Sequence, residues 1–214
     1  MESTEIRILV ADDHSVVRNG VIKSLSGCFP KAVFGEASNS AEILRLVNDA
    51  SWNLIILDIS MPGRNGLEVL KDLKDSYPEI PVIVFSMYPE DQFAVRAIKA
   101  GASAYLTKDI STKELARAIR AIIKGERYFT NSLAELITNQ IRDNVDKPLH
   151  TLLSDREYQV FQLIAKGNGV TDIGIKLSLS VKTISVYRAN ILKKMNLKNN
   201  AEITHYAFKN NLVE

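Results

Sequence analysis

Residues 54–70 read LIILDISMPGRNGLEVL. Four apolar residues are followed by an aspartate, a turn rich in Pro, Gly and Asn, and then leucines at helical spacing. A run this short and apolar at every position suits a strand buried on both faces, with Asp58 where the chain leaves the sheet. The same grammar recurs through residues 6–124. Apolar runs at Ile6–Ala11, Ala32–Gly35 (weak), Val82–Phe85 and Ala104–Leu106 alternate with helical patterns such as Val16, Val17, Val21, Leu25 and Leu115, Ile119, Ile122, Ile123. Strands alternating with helices predict an α/β fold, a doubly wound, parallel (βα)5 sheet over residues 1–124.

The bulk numbers agree with a folded chain. Of 214 residues, 46% are hydrophobic and 24% charged, which excludes a largely disordered protein. A single cysteine excludes an internal disulfide and a Cys-rich zinc site, and points to a reducing, cytoplasmic setting. Apolar runs stop far short of the ~20 residues that span a bilayer, so no membrane role is expected. Acidic residues come too early for a secretory signal. The charge is uneven: −1 over residues 1–124, −1 over 125–153 and +4 over 154–214. Five basic residues and no acid lie between Lys182 and Lys198. That asymmetry favours a polyanionic partner for the C-terminal part.

Residues 125–149 read as a linker with one helix, carrying Leu133, Leu136, Ile137 and Ile141, before the sequence turns polar. Residues 150–214 read as a small all-α unit of four helices. Ser154-Asp155-Arg156-Glu157 is a capping box that starts the first helix. A short helix over about 170–177, a turn at Leu179-Ser180 and a basic helix over about 181–195 form a helix-turn-helix.

In a doubly wound sheet, ligands gather at the carboxyl ends of the strands. The strand ends here lead to Asp12-Asp13, Asp58, Ser86 and Lys108. Three carboxylates, a hydroxyl and an ammonium on one rim suit phosphoryl transfer to a carboxylate. Asp58 is the expected nucleophile and phosphoacceptor. Clustered carboxylates call for a hard dication, and Mg²⁺ is expected on Asp12, Asp13, Asp58 and the backbone carbonyl of Ser60. Lys108 would neutralise the oxygens of the transferring group. An aspartyl-phosphate hydrolase is the rival. Such enzymes commonly place a second Asp two residues after the nucleophile, where this chain has Ser60.

These residues resemble the receiver domain of two-component response regulators, and LLSDREYQVFQLIAKG with DIGIKLSLSVKTISVYRANILKKMNL resembles the LuxR-type module of NarL/FixJ-type regulators. The resemblance implies a phosphoryl group taken from a sensor histidine kinase, and a switch in which Ser86 moves toward the phosphate while Tyr105 turns inward. It implies sequence-specific binding to a double-stranded DNA operator, with RNA polymerase as a further partner. Ser185, Val186 and Ala189 then fall at base-reading positions. Lys182, Thr183, Tyr187 and Arg188 meet phosphates, with Lys193 and Lys194 adding charge. Ile203, Tyr206 and Ala207 on the last helix resemble the surface of a phosphorylation-dependent homodimer. The chain departs from the family's habit at Met87, Asp109, Gly174, Ser185 and Tyr187. A protein-binding adaptor is the alternative reading of the helical unit.

Overall fold

The computed structural model describes residues 5–61, 64–142 and 148–213, with the backbone alone for 139–142. The polar part of the expected linker, 143–147, and the side chain of Ile141 lie outside the described residues. The chain divides into two compact units, residues 1–138 and 139–214.

In the first unit five strands, β1 (Arg7–Ala11), β2 (Val33–Ala37), β3 (Leu54–Leu57), β4 (Val82–Ser86) and β5 (Ala104–Thr107), form a parallel sheet in the order β2-β1-β3-β4-β5. Helices α1 (Ser15–Cys28), α2 (Ser40–Asp49), α3 (Gly66–Ser76), α4 (Glu90–Lys99) and α5 (Thr112–Ile123) follow the strands in turn. Every residue of β3 and β4 is buried, which is why those runs are apolar without alternation. The weak signal of β2 has a physical cause: Val33 and Glu36 of this edge strand are exposed, Val33 at 37%. Pleat alternation splits the core. Ile8, Val10, Leu54, Ile56, Ile83, Phe85, Ala104 and Leu106 pack with Leu115, Ile119 and Ile122 of α5, and Tyr105 points to the opposite face.

One expectation needs correcting. Val21 and Leu25 are buried on the inner face of α1, but Val16 is 83% exposed. The buried stripe passes through Val17, Val21 and Leu25 at four-residue spacing, so Val16 falls beside it.

Trp52 lies against Gly35 on the edge strand. A Cβ added at Gly35 would sit 2.2 Å from the Trp52 ring, so only glycine admits it there. The indole Nε1 donates to the Leu46 carbonyl at 2.9 Å, and the Arg7 guanidinium stacks 5.2 Å from the ring centroid.

The chain after α5 stays with the first unit. The Tyr128 N–H donates to the Ser103 carbonyl at 3.2 Å, and the Tyr128 hydroxyl donates to Glu114. Helix α6 (Asn131–Arg142) then begins, with Leu133 fully buried. The second unit has a 3₁₀ turn at Leu149–Leu152 and helices α7 (Asp155–Ala165), α8 (Val170–Leu177), α9 (Val181–Met195) and α10 (Asn200–Lys209). Its core holds Phe161, Ile164, Ile173, Ile184, Ile191, Met195 and Ile203. The capping box is present: Ser154 Oγ accepts from the Glu157 N–H and the Glu157 carboxylate from the Ser154 N–H. No helix among the described residues is long and apolar enough to cross a membrane.

Gly35→Ala is expected to destabilise the first unit by about 1–3 kcal/mol, because the added methyl overlaps a buried ring. Urea unfolding followed by tryptophan fluorescence measures it.

Candidate functional site

The strand order places β1 and β3 side by side at the centre, with their helices leaving in different directions, so their carboxyl ends open a crevice. Ladder bonds fix the rim: the Asp58 N–H donates to the Ala11 carbonyl at 2.8 Å and the Asp12 N–H to the Ala37 carbonyl at 3.1 Å. Asp12 and Asp58 are almost wholly buried. The Lys108 ammonium lies 2.6 Å from Asp12 Oδ2 and 2.6 Å from Asp58 Oδ2, having crossed from the end of β5. Asp58 Oδ1 accepts from the Ser60 N–H at 2.9 Å.

Burial acts first on both Asp58 and Lys108. It pushes the Asp58 carboxyl above its usual range, against the pull of Lys108. For Lys108, burial alone would lower the pKa, but the Asp58 and Asp12 carboxylates outweigh it and hold the ammonium above its usual value. Lys108 is therefore a fixed positive charge beside a carboxylate that is reluctant to ionise.

Asp13 sits at the mouth. One ligand atom from each of Asp12, Asp13 and His14 comes within 4.8 Å of the others. Asp13 Oδ1 is buried and accepts no hydrogen bond among the described residues, with His14 Nδ1 3.0 Å away. A buried, under-satisfied carboxylate oxygen beside the Asp12 carboxylate and the His14 ring fits a hard cation with oxygen preference. His14 was not singled out from the sequence, and neither was Arg18. Arg18 donates to the Asp12 carbonyl at 2.7 Å and pairs with Glu36 at 3.0 Å, which steadies the acidic turn.

On the other side of Asp58, Ser86 ends β4 and is fully buried. Its Oγ accepts from the Tyr88 N–H at 3.2 Å. Tyr105 is wholly buried, and its hydroxyl donates to the Tyr88 carbonyl at 2.8 Å. Burial drives the Tyr105 phenol far above its ordinary pKa and keeps it a neutral donor. Asp109 accepts a hydrogen bond from the Thr107 hydroxyl. Met87 is 72% exposed beside this segment.

In the second unit, Ser180 caps α9 by accepting from the Thr183 N–H at 3.1 Å. Ile184, Ile191 and Met195 turn into the core, while Lys182, Ser185, Val186, Ala189 and Lys193 are exposed. Thr183, Tyr187 and Arg188 are half-buried, and Arg188 Nε donates to Asn200 Oδ1 at 2.6 Å. The turn between α8 and α9 is tight: a Cβ on Gly174 would lie 2.8 Å from the Leu179 carbonyl oxygen. An alanine there would push the turn outward.

One sequence expectation changes, and another residue gains a partner. Lys194 Nζ lies 2.6 Å from Glu157 Oε2, so its charge closes the capping box of α7. Burial would raise the Glu157 pKa, but Lys194 and the Ser154 hydrogen bonds outweigh it and hold the carboxyl below its usual value. Ile203 and Ala207 are fully buried within their own unit, and the Tyr206 hydroxyl lies 3.2 Å from His150 Nδ1. Ile203 and Ala207 therefore close the core of the helical unit, while Tyr206 is half-buried. The open side of α10 carries His205 and Phe208 instead.

Comparison with known proteins follows the same division. Residues 8–120 match the response regulator receiver domain, and residues 151–207 match the luxR family of bacterial regulatory proteins. Response regulator GacA of Pseudomonas viridiflava is 33% identical over 98% of each chain. Oxygen regulatory protein NreC of Staphylococcus epidermidis is 34% identical, over 98% of this chain and all of the relative. Among solved structures, the RcsB response regulator of Salmonella typhimurium superposes with a TM-score of 0.69 at 25% identity, covering 94% of this chain and 96% of that one. A complex of RcsB with DNA gives a TM-score of 0.59 at 26% identity, covering 95% and 98%.

Since folding raises the Asp58 pKa, the stability linked to that group is present at low pH and is lost as pH rises through the folded value. Asp58→Asn, which cannot ionise, is expected to gain about 0.5–2 kcal/mol near neutral pH without divalent metal. The gap should narrow toward mildly acidic pH, as read by thermal melts across a pH series.

Proposed function

Because this chain belongs to the response regulators that join a receiver domain to a luxR-family DNA-binding domain, we propose that Asp58 is its phosphoacceptor and that α9 is the helix it inserts into the major groove. The observation that carries the first half is the Lys108 ammonium, 2.6 Å from both Asp12 and Asp58 at the carboxyl end of the sheet.

An Asp58 carboxylate oxygen attacks the phosphorus of a phosphohistidine on a sensor histidine kinase. The P–O bond forms as the P–N bond breaks, and the departing imidazole nitrogen takes a proton from water. Lys108 stays in place and neutralises the phosphoryl oxygens, so the site needs little rearrangement as charge moves. Asp12, Asp13, Asp58 and the Ser60 carbonyl would hold Mg²⁺, which supplies charge neutralisation at the phosphoryl oxygens when bound. Ser86, whose oxygen accepts from the Tyr88 N–H and whose side chain hydrogen-bonds Tyr105, would turn its hydroxyl proton from Tyr105 to a phosphoryl oxygen. Ser60 stands where a hydrolytic aspartyl-phosphate enzyme would carry its acid/base Asp, which supports a regulator over a turnover enzyme.

In the DNA-binding domain, Lys182, Lys193 and Lys194 are exposed cations of α9, Lys194 with one partner in Glu157, while Ser185, Val186 and Ala189 face outward where bases are read. Thr183, Tyr187 and Arg188 flank them. The working setting is the cytoplasm, at an operator, with RNA polymerase beside it. The active species is a phosphorylated homodimer.

Acetyl phosphate with Mg²⁺ is expected to label the parent protein once per chain and to leave Asp58→Ala unlabelled, as read by intact mass. Labelling of that variant would refute the assignment. Lys182→Ala is expected to weaken binding equally across DNA sequences and to reduce the salt dependence of log K by about one unit of slope. Titrations at several salt concentrations measure it.

A further inference from the structure

The chain from Ser86 to Glu90 forms a hydrogen-bonded strap between the phosphoacceptor site and the linker. At its near end, Ser86 Oγ accepts from the Tyr88 N–H at 3.2 Å. In the middle, the Tyr88 carbonyl accepts from the buried Tyr105 hydroxyl at 2.8 Å. At the far end is Glu90, the first residue of α4 and half-buried. Both of its carboxylate oxygens lie 2.8 Å from the Thr130 hydroxyl. Thr130 immediately precedes α6, and its Oγ1 accepts from the Leu133 N–H at 3.1 Å while its carbonyl accepts from the Ala134 N–H at 3.0 Å. Thr130 is therefore the N-cap of the linker helix, and its single hydroxyl proton goes to Glu90.

We propose that Glu90 and Thr130 form a latch coupling occupancy of the Asp58 site to the start of α6, a reading that rests on Asp58 as phosphoacceptor. A neutral hydroxyl donating to a carboxylate makes a charge-assisted bond, stronger than an ordinary surface contact. The helix N-terminus behind Glu90 favours its negative charge. The latch and a phosphoryl group on Asp58 act on the same strap. With the Tyr88 N–H donating to Ser86 Oγ, the Ser86 hydroxyl, which also hydrogen-bonds the Tyr105 hydroxyl, can turn its proton to a phosphoryl oxygen while its oxygen stays on Tyr88, so the anion reinforces the arrangement that places Glu90 beside Thr130. Two events that favour one arrangement must favour each other, and reciprocally. Breaking the latch therefore weakens anion binding at Asp58, although Glu90 and Thr130 do not touch that site.

The probe is beryllofluoride with Mg²⁺, titrated into the full-length chain by calorimetry. Glu90→Ala is expected to weaken binding roughly five- to tenfold without a matching loss of melting temperature. Glu90→Gln keeps an acceptor for Thr130 while removing the charge, and should fall between the parent and Glu90→Ala. Thr130→Ser keeps the hydroxyl and should behave as the parent. Thr130→Asp keeps a cap for α6 but sets two carboxylates together, and should weaken binding at least as much as Glu90→Ala. Parent-like affinity in both Glu90→Ala and Thr130→Asp would overturn the latch while leaving Asp58 as acceptor. So would equal weakening in Thr130→Ser. Failure of the parent chain to bind beryllofluoride would remove the acceptor reading, and the latch with it.

Discussion

The receiver domain is organised around one ammonium group. Lys108 is drawn from the end of an edge strand to the centre of the rim and touches carboxylates from two other strands. Asp12 and Asp58 are buried too deeply for water to screen them from each other, so without the lysine their mutual repulsion would be severe. The same burial that makes the pair costly keeps it responsive. A divalent cation or a phosphoryl group changes the local charge by a full unit or more, in a place where solvent does little to dilute the change. Arg18 and Glu36 brace the acidic turn within which that change is felt.

The helical domain divides its cations differently. Of the basic side chains on α9, Lys194 is held by a buried carboxylate and Arg188 by an asparagine amide. Lys182, Lys193 and Lys194 itself are exposed. Net charge therefore overstates how much of this helix is free for a polyanion. Local pairing, rather than composition, decides which residues are available.

Much of this was legible in the chain because it depends on periodicity and on position at strand ends. The apolar runs gave four strands cleanly, since β1, β3, β4 and β5 lie under helices. The edge strand β2 was faint because one of its sides meets water. The carboxylates and Lys108 could be placed because a parallel sheet forces strand ends to one side. What could not be read were choices made by side-chain rotamers across long separations. The pairing of Lys194 with Glu157 spans 37 residues and that of Thr130 with Glu90 spans 40. Ile203 and Ala207 illustrate a different limit. Helical spacing marks an apolar face without saying whether it meets the protein's own core or another copy, and in this domain it meets the core.

The buried ring at Trp52 has a spectroscopic corollary. It is the chain's sole tryptophan, only 8% exposed and stacked under a guanidinium in the first unit. Indole emission therefore follows the melting of the sheet domain alone, whereas far-ultraviolet dichroism weights the helices of both. The molecule thus carries its own optical means of telling the collapse of one half from that of the other, with no label attached.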